Sequence, residues 1–140
     1  MRQYRALLAW KNGERERAVA ELEAMARRGP SYSRPPAVYL LAAFAHDERR
    51  DRDLVALVDT LGRAQPYAWQ AVAYPEAVLW AAQAHERLGQ HDQARARVEW
   101  LLGSWARADP DLPLLADARR LCAKVGCRPP EARRPGGGGP

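Results

Sequence analysis

The sequence predicts an all-α protein built as a solenoid of about three helix-turn-helix repeats, closed by a C-terminal helix. Three observations carry this. Residues that favour strands are scarce: there is no Ile, and Phe44 and Thr60 are single occurrences, while the helix formers Ala, Leu, Glu and Arg abound. Helix-breaking segments recur along the chain, at Gly13, 27–36, 49–53, 64–75, Gly89, 108–113 and 126–130. Finally, two apolar stripes superpose: adding 76 to Ala18, Leu22, Met25 and Ala26 gives Ala94, Val98, Leu101 and Leu102, the same shift that carries Gly13 onto Gly89.

The breaks leave seven expected helices, at 2–11, 14–28, 36–49, 53–64, 75–88, 91–107 and 113–125. Gly13 and Gly89 are read as turns inside helix hairpins, where a left-handed residue is most easily glycine. Ala18 and Ala94, five residues on, are small enough for close helix contact. A break halfway between the two glycines falls at Asp51, inside "RRDRD". "LAAFAHDERR" (41–50) echoes "WAAQAHERLG" (80–89) at a shift of 39, which places His46 and His85 in equivalent positions. The period is therefore about 38 residues, and no single helix pair can bury its apolar face alone. The units span about 1–30, 36–66 and 75–107, with the capping helix at 113–125. Together they form one repeat domain over 1–127, and "RPPEARRPGGGGP" (128–140) is expected to be disordered because it has almost nothing to bury.

At these residues the chain resembles the tetratricopeptide repeat family. "PEAVLWAAQAHERLGQHDQARARVEWLL" (75–102) carries the acidic-then-alanine start at Glu76 and Ala77, the turn glycine Gly89, the small Ala94, and apolar Val98, Leu101 and Leu102. Unit one matches at Gly13, Ala18 and the terminating Pro30. Unit three has Val78, Ala81, Ala82 and His85 where the family often has Trp, Leu, Gly and Tyr, and unit two lacks the turn glycine. "LLGSWARADPDLPLLADARRL" (101–121) also resembles the closing stretch of repeat regions in bacterial signalling and regulatory proteins, some Ser/Thr kinases among them. The resemblance implies a right-handed superhelix whose first helices line a concave face. It implies a protein-binding groove from the outward residues Leu40, Phe44, Asp47 and Glu48 in unit two and Leu79, Gln83, Glu86 and Arg87 in unit three.

Charge and cysteine usage narrow the function classes. The chain carries a net +5, but Arg128, Arg133 and Arg134 against Glu131 place +2 of it in the last 13 residues. Elsewhere cations and anions alternate, as in "NGERERAVAELEAMARR", a solvated helix face with i,i+4 pairs more than a phosphate-binding stripe. A nucleic-acid-binding helical repeat is thus the third and weakest of the functional readings, resting on charge alone. Cys122 and Cys127 in "LCAKVGC" have no zinc-ligand spacing and are expected as two reduced thiols, as in a cytoplasmic protein. "MRQYRALLAWKNG" does not read as a secretory signal, and no apolar run approaches the ~20 residues that span a bilayer.

No catalytic, metal or cofactor site emerges. His85 and His91 are six apart across a helix break, and His46 and His85 read as packing residues. Asp47 and Glu48 lie among Arg49, Arg50 and Arg52, which keeps acids ionised. Asp109 and Asp111 read as helix caps. Ser31, Ser33 and Ser104 lack a histidine at suggestive spacing, and "GGGG" precedes no helix. Trp10, Trp69, Trp80, Trp100 and Trp105 are expected mostly in the core, with "YAWQAVAY" (67–74) packed on a neighbouring hairpin.

The leading expectation is a non-catalytic module that binds a peptide or partner helix. The alternative is the C-terminal repeats of a larger bacterial regulator, packed on its own upstream repeats. Either way the first helix, with Tyr4, Leu7, Leu8 and Trp10, is expected to seek a partner, including a second copy of the chain.

Overall fold

In the computed structural model, residues 2–63 and 70–128 are described. They form seven helices: α1 (Arg2–Lys11), α2 (Arg15–Arg28), α3 (Arg34–Asp47), α4 (Asp51–Arg63), α5 (Gln70–Arg87), α6 (His91–Ser104) and α7 (Pro113–Val125). No strand occurs among the described residues. Each helix packs on the next, and α3 touches α5 as α5 touches α7. This packing of consecutive helices is consistent with a helical repeat.

One backbone turn recurs at 13, 49, 89 and 126, intervals of 36, 40 and 37 residues. Gly13, Gly89 and Gly126 are left-handed, with φ of 83°, 74° and 73°, and Arg49 takes the same region at 57°. In all four, the following N–H returns to the carbonyl five residues back: Glu14 to Ala9, Arg50 to Ala45, Gln90 to His85 and Cys127 to Cys122, at 2.8–3.0 Å. This is the Schellman closure, which satisfies carbonyls that a helix end leaves open.

The packing follows from that register. Counting from the left-handed residue, positions +5, +9 and +12 are Ala18, Leu22 and Met25 on α2, Leu54, Val58 and Leu61 on α4, and Ala94, Val98 and Leu101 on α6. All nine are buried. Ala6 and Ala9, Ala42 and Ala45, and Ala82 and His85 sit at −7 and −4 on the first helices, also buried. Small residues at most of these sites let the two helices of each hairpin close on one another. The core is divided into three clusters, each joining one hairpin to the first helix of the next unit.

Several sequence expectations shift. The middle break centres on Arg49, two residues before Asp51, so α3 and α4 begin earlier than 36 and 53. Pro35 and Pro36 open α3, where a missing N–H is tolerated. The connection expected at 64–75 is helical from Gln70, and Pro75 lies within α5. Because the structural shift between units two and three is 40 and not 39, His46 and His85 are not equivalent. His85 is buried at −4 with Nδ1 2.7 Å from Gln90 Oε1. His46 matches Glu86 instead. Asp109 does not cap α7: its carboxylate accepts the Asp111 N–H in a local turn, and Leu112 occupies the N-cap.

The cysteines are not thiols. Cys122 and Cys127 are joined by a disulfide across Gly126, with Cα atoms 4.9 Å apart. The Schellman turn brings those two positions together, as it brings His85 to Gln90. Arg95 on α6 donates two hydrogen bonds of 3.1 Å to the Val125 carbonyl and fixes the same helix end.

At −7 on α7, where the three hairpins bury an alanine, stands exposed Arg119. The +5, +9 and +12 positions after Gly126 read Glu131, Pro135 and Gly138, with no apolar stripe. Helix α7 thus repeats the first helix of a unit while lacking the surface to receive a second. The expected disorder of 128–140 falls outside the described residues except for Arg128, and so do Tyr67 and Trp69.

Candidate functional site

Helices α3, α5 and α7 lie side by side, and their C-terminal ends bound a groove of about 530 Å³. Three of the residues expected on a concave face line it: Gln83, Glu86 and Arg87 of α5. Its other walls are His46 and Arg49 from α3 and its turn, and Asp117, Arg120, Leu121 and Lys124 from α7.

Two expected groove residues are core. Leu79 is 1% exposed and packs with Ala82 against α6, and Phe44 is 3% exposed, stacked on Trp10 at 3.8 Å with planes 4° apart. For Phe44 the reason is the one-residue slip between units two and three: a shift of 39 aligns it with Gln83, whose structural counterpart is Ala43. Leu40 is half-buried against the first core cluster. Asp47 is exposed, outside the groove lining. Glu48 binds Arg15 at 2.9 Å and Arg50 at 3.0 Å, which holds its carboxyl below the usual range and ties α2 to the α3 turn. Gly13, Ala18, Gly89 and Ala94 occupy turn and hairpin-contact positions, and Pro30 follows the C-cap Gly29 of α2.

The charges in the groove are largely matched. Arg87 grips Asp51 with its Nε 3.0 and 3.2 Å from the two carboxylate oxygens and its Nη2 2.5 Å from one of them. These hydrogen bonds lower the pKa of Asp51 despite partial burial and raise that of Arg87. Lys124 Nζ lies 2.8 Å from Glu86, joining α7 to α5, and Arg120 pairs with Asp117 one turn away. Arg49 has no ion pair among the described residues, although a left-handed arginine is less favourable than the glycine of its three counterparts.

His46 stacks on Trp80 with ring centroids 5.0 Å apart and planes 13° from parallel. Its Nδ1 is buried without a hydrogen-bond partner. Burial pushes its pKa below the usual value; Asp47 opposes that shift, and Arg87 and Arg49 add to it. The ring is therefore neutral at pH 7, a flat wall of the groove.

This arrangement can hold a ligand by shape and hydrogen bonding. Its acids are Glu86 and Asp117, both in ion pairs with cations. No group of three His, Cys, Asp or Glu that could hold a metal ion occurs among the described residues. No described helix is long and apolar enough to cross a membrane. Sequence reasoning missed His46, Arg49 and the α7 residues. A left-handed arginine leaves no letter to mark the turn, and α7 was read only as a cover.

Among the described residues, the exposed large apolar side chains are Tyr4, Leu8, Tyr32 and Trp100. Trp10, expected to face a partner, is stacked in the core under the Arg15 guanidinium at 4.5 Å, and Leu7 packs against the same cluster. The outward pair on α1 is Tyr4 and Leu8. Comparison of the chain with protein-family models, curated proteins and solved structures found no match in any of the three.

Proposed function

We propose that this protein is a non-catalytic binding module of tetratricopeptide type, a right-handed superhelix that holds an extended peptide in the groove between α3, α5 and α7. The observation that carries the reading is the make-up of that groove: a preset wall of His46 on Trp80, the edge of the nearly buried Leu121, and Arg49, which has no ion pair among the described residues. A groove fixed by ion pairs to the neighbouring helices loses little conformational freedom on binding. Arg49 and Gln83 offer N–H donors suited to peptide carbonyls and acidic side chains. An arginine in a left-handed turn, where the counterpart turns have glycine, is the kind of backbone outlier that supports a functional role. The reading requires no cofactor and is independent of compartment, since the disulfide removes the reduced-thiol argument for a cytoplasmic setting.

The test is selection from a displayed library of random 12-residue peptides. Enriched peptides should bind the parent chain and lose affinity at least ~10-fold with Gln83→Trp or Arg49→Glu, both of which should keep the helical circular dichroism. Equal binding to the parent and to folded variants would place the ligand elsewhere.

A further inference from the structure

The three internal interfaces share one register, and α1 presents it uncovered. Positions −9 and −5 on α3 are Leu40 and Phe44, on α5 Trp80 and Ala84, and on α7 Asp117 and Leu121. The −5 residues are all buried against the preceding hairpin: Phe44 on Trp10, Ala84 in the cluster with α4, and Leu121 in the cluster with α6. On α1 the same two positions are Tyr4 and Leu8, which stand 70% and 60% exposed.

The flanking charge says what would fit there. α1 is the helix without an acidic residue, and Arg2, Arg5 and Lys11 are exposed with no ion pair among the described residues. Arg2 and Arg5 occupy −11 and −8, where α3 has Val38 and Leu41. Those two line a cleft with Glu23, Ala26 and Arg27 of the preceding second helix, where Glu23 pairs with Arg27 at 3.2 Å.

We propose that the outer face of α1 is an open repeat interface, which docks a further helix hairpin of the kind seen in this chain, with carboxylates on its second helix opposite Arg2 and Arg5. Apolar contact comes from Tyr4 and Leu8, and orientation from the cations. The surface is distinct from the groove between α3, α5 and α7, so either can be present without the other.

The test uses the full chain with one added 36-residue period, a second copy of residues 2–37 placed directly before Arg2. That length keeps the register of the turn at Gly13 and supplies Glu23 opposite Arg2 and Arg5. Amide hydrogen exchange across the original α1 should slow at least ~10-fold relative to the parent. Leu8→Glu in the original copy should remove that protection, while the same change in the parent leaves its unfolding midpoint unaltered. Glu23→Lys in the added copy should reduce the protection, and 0.5 M salt should reduce it too. An original α1 that exchanges as it does in the parent would overturn the proposal. So would protection insensitive to Leu8→Glu. The parent alone should sediment as a monomer; a dimer abolished by Leu8→Glu would assign the face to a second copy and overturn the commitment to a hairpin.

Discussion

Leu8 and Leu121 occupy the same position, five residues before a left-handed glycine, at opposite ends of one stack. Leu121 is 7% exposed and belongs to the core cluster with α6, whereas Leu8 projects into solvent. The difference lies in the neighbour. Every first helix after α1 is covered by the hairpin before it, and α1 is not. At the other end α7 closes the stack with devices of its own: exposed Arg119 in place of the contact alanine, a disulfide across the turn, and Arg95 on the last carbonyl. Among the described residues, Leu121 has a neighbouring helix over it and Leu8 has none. Burial therefore cannot be assigned from residue type, or even from repeat position, without knowing what stands next.

Truncating the two leucines sharpens this most. Leu121→Ala should lower stability by about 3 kcal/mol through lost burial and a residual cavity, with Leu8→Ala staying within about 0.5 kcal/mol. Urea titrations followed by circular dichroism measure both. Comparable losses would mean that α1 is already covered in solution.

The closed end should also respond to reduction. Cys127→Ser should cost about 2 kcal/mol, the chain-entropy value for so short a loop. A dithiol reductant should shift the parent's urea midpoint equally and leave the variant unchanged. Amide exchange in α1 should be indifferent to either treatment, and a reductant without effect on the parent would show the cysteines unpaired in solution.

Between the ends, the middle turn differs from its counterparts by one residue. Arg49→Gly should raise stability by about 1 kcal/mol by relieving a left-handed side chain. Gly89→Arg should lower it by a similar amount. Thermal unfolding of the two variants tests whether the turns are interchangeable, and a destabilised Arg49→Gly would refute it.

The smallest effect belongs to His46. Its folded pKa lies below the ordinary 6.5, so as pH falls the unfolded chain takes up the proton first. Its neutral form thus supports the fold fully above about pH 6.5, and that support declines on acidification below it. His46→Phe should flatten the fall in stability between pH 7 and 5 by a fraction of a kcal/mol, measured as urea midpoints at each pH. An unchanged slope would mean that the ring is already hydrated.

Much of this was legible in the sequence, for a physical reason. Gly13 and Gly89 reveal their turns because glycine tolerates the left-handed region, and the stripes at Ala18, Leu22 and Met25 and at Ala94, Val98 and Leu101 repeat because each fills one hairpin. The middle unit was displaced because its turn is made by arginine and because "AH" occurs in both first helices one residue out of step. That slip carried Phe44 onto an outer face. The disulfide went unread because its spacing makes sense only across a left-handed Gly126. Tyr4 and Leu8 were singled out along with Leu7 and Trp10, but periodicity in a ten-residue helix did not separate the covered pair from the open one.

The uneven intervals have a consequence for how such a chain tolerates changes in length. The middle interval exceeds the first by four residues, and α5 has 18 residues where α3 has 14. Four residues are close to one helical turn, so the added segment returns each side chain to the same azimuth and leaves the buried stripe where it was. One or two extra residues would rotate that stripe by about 100° or 200° toward solvent. Insertions and deletions in the first helices should therefore survive in steps of about a turn, while the four left-handed turns, fixed by a five-residue backbone closure, should tolerate none.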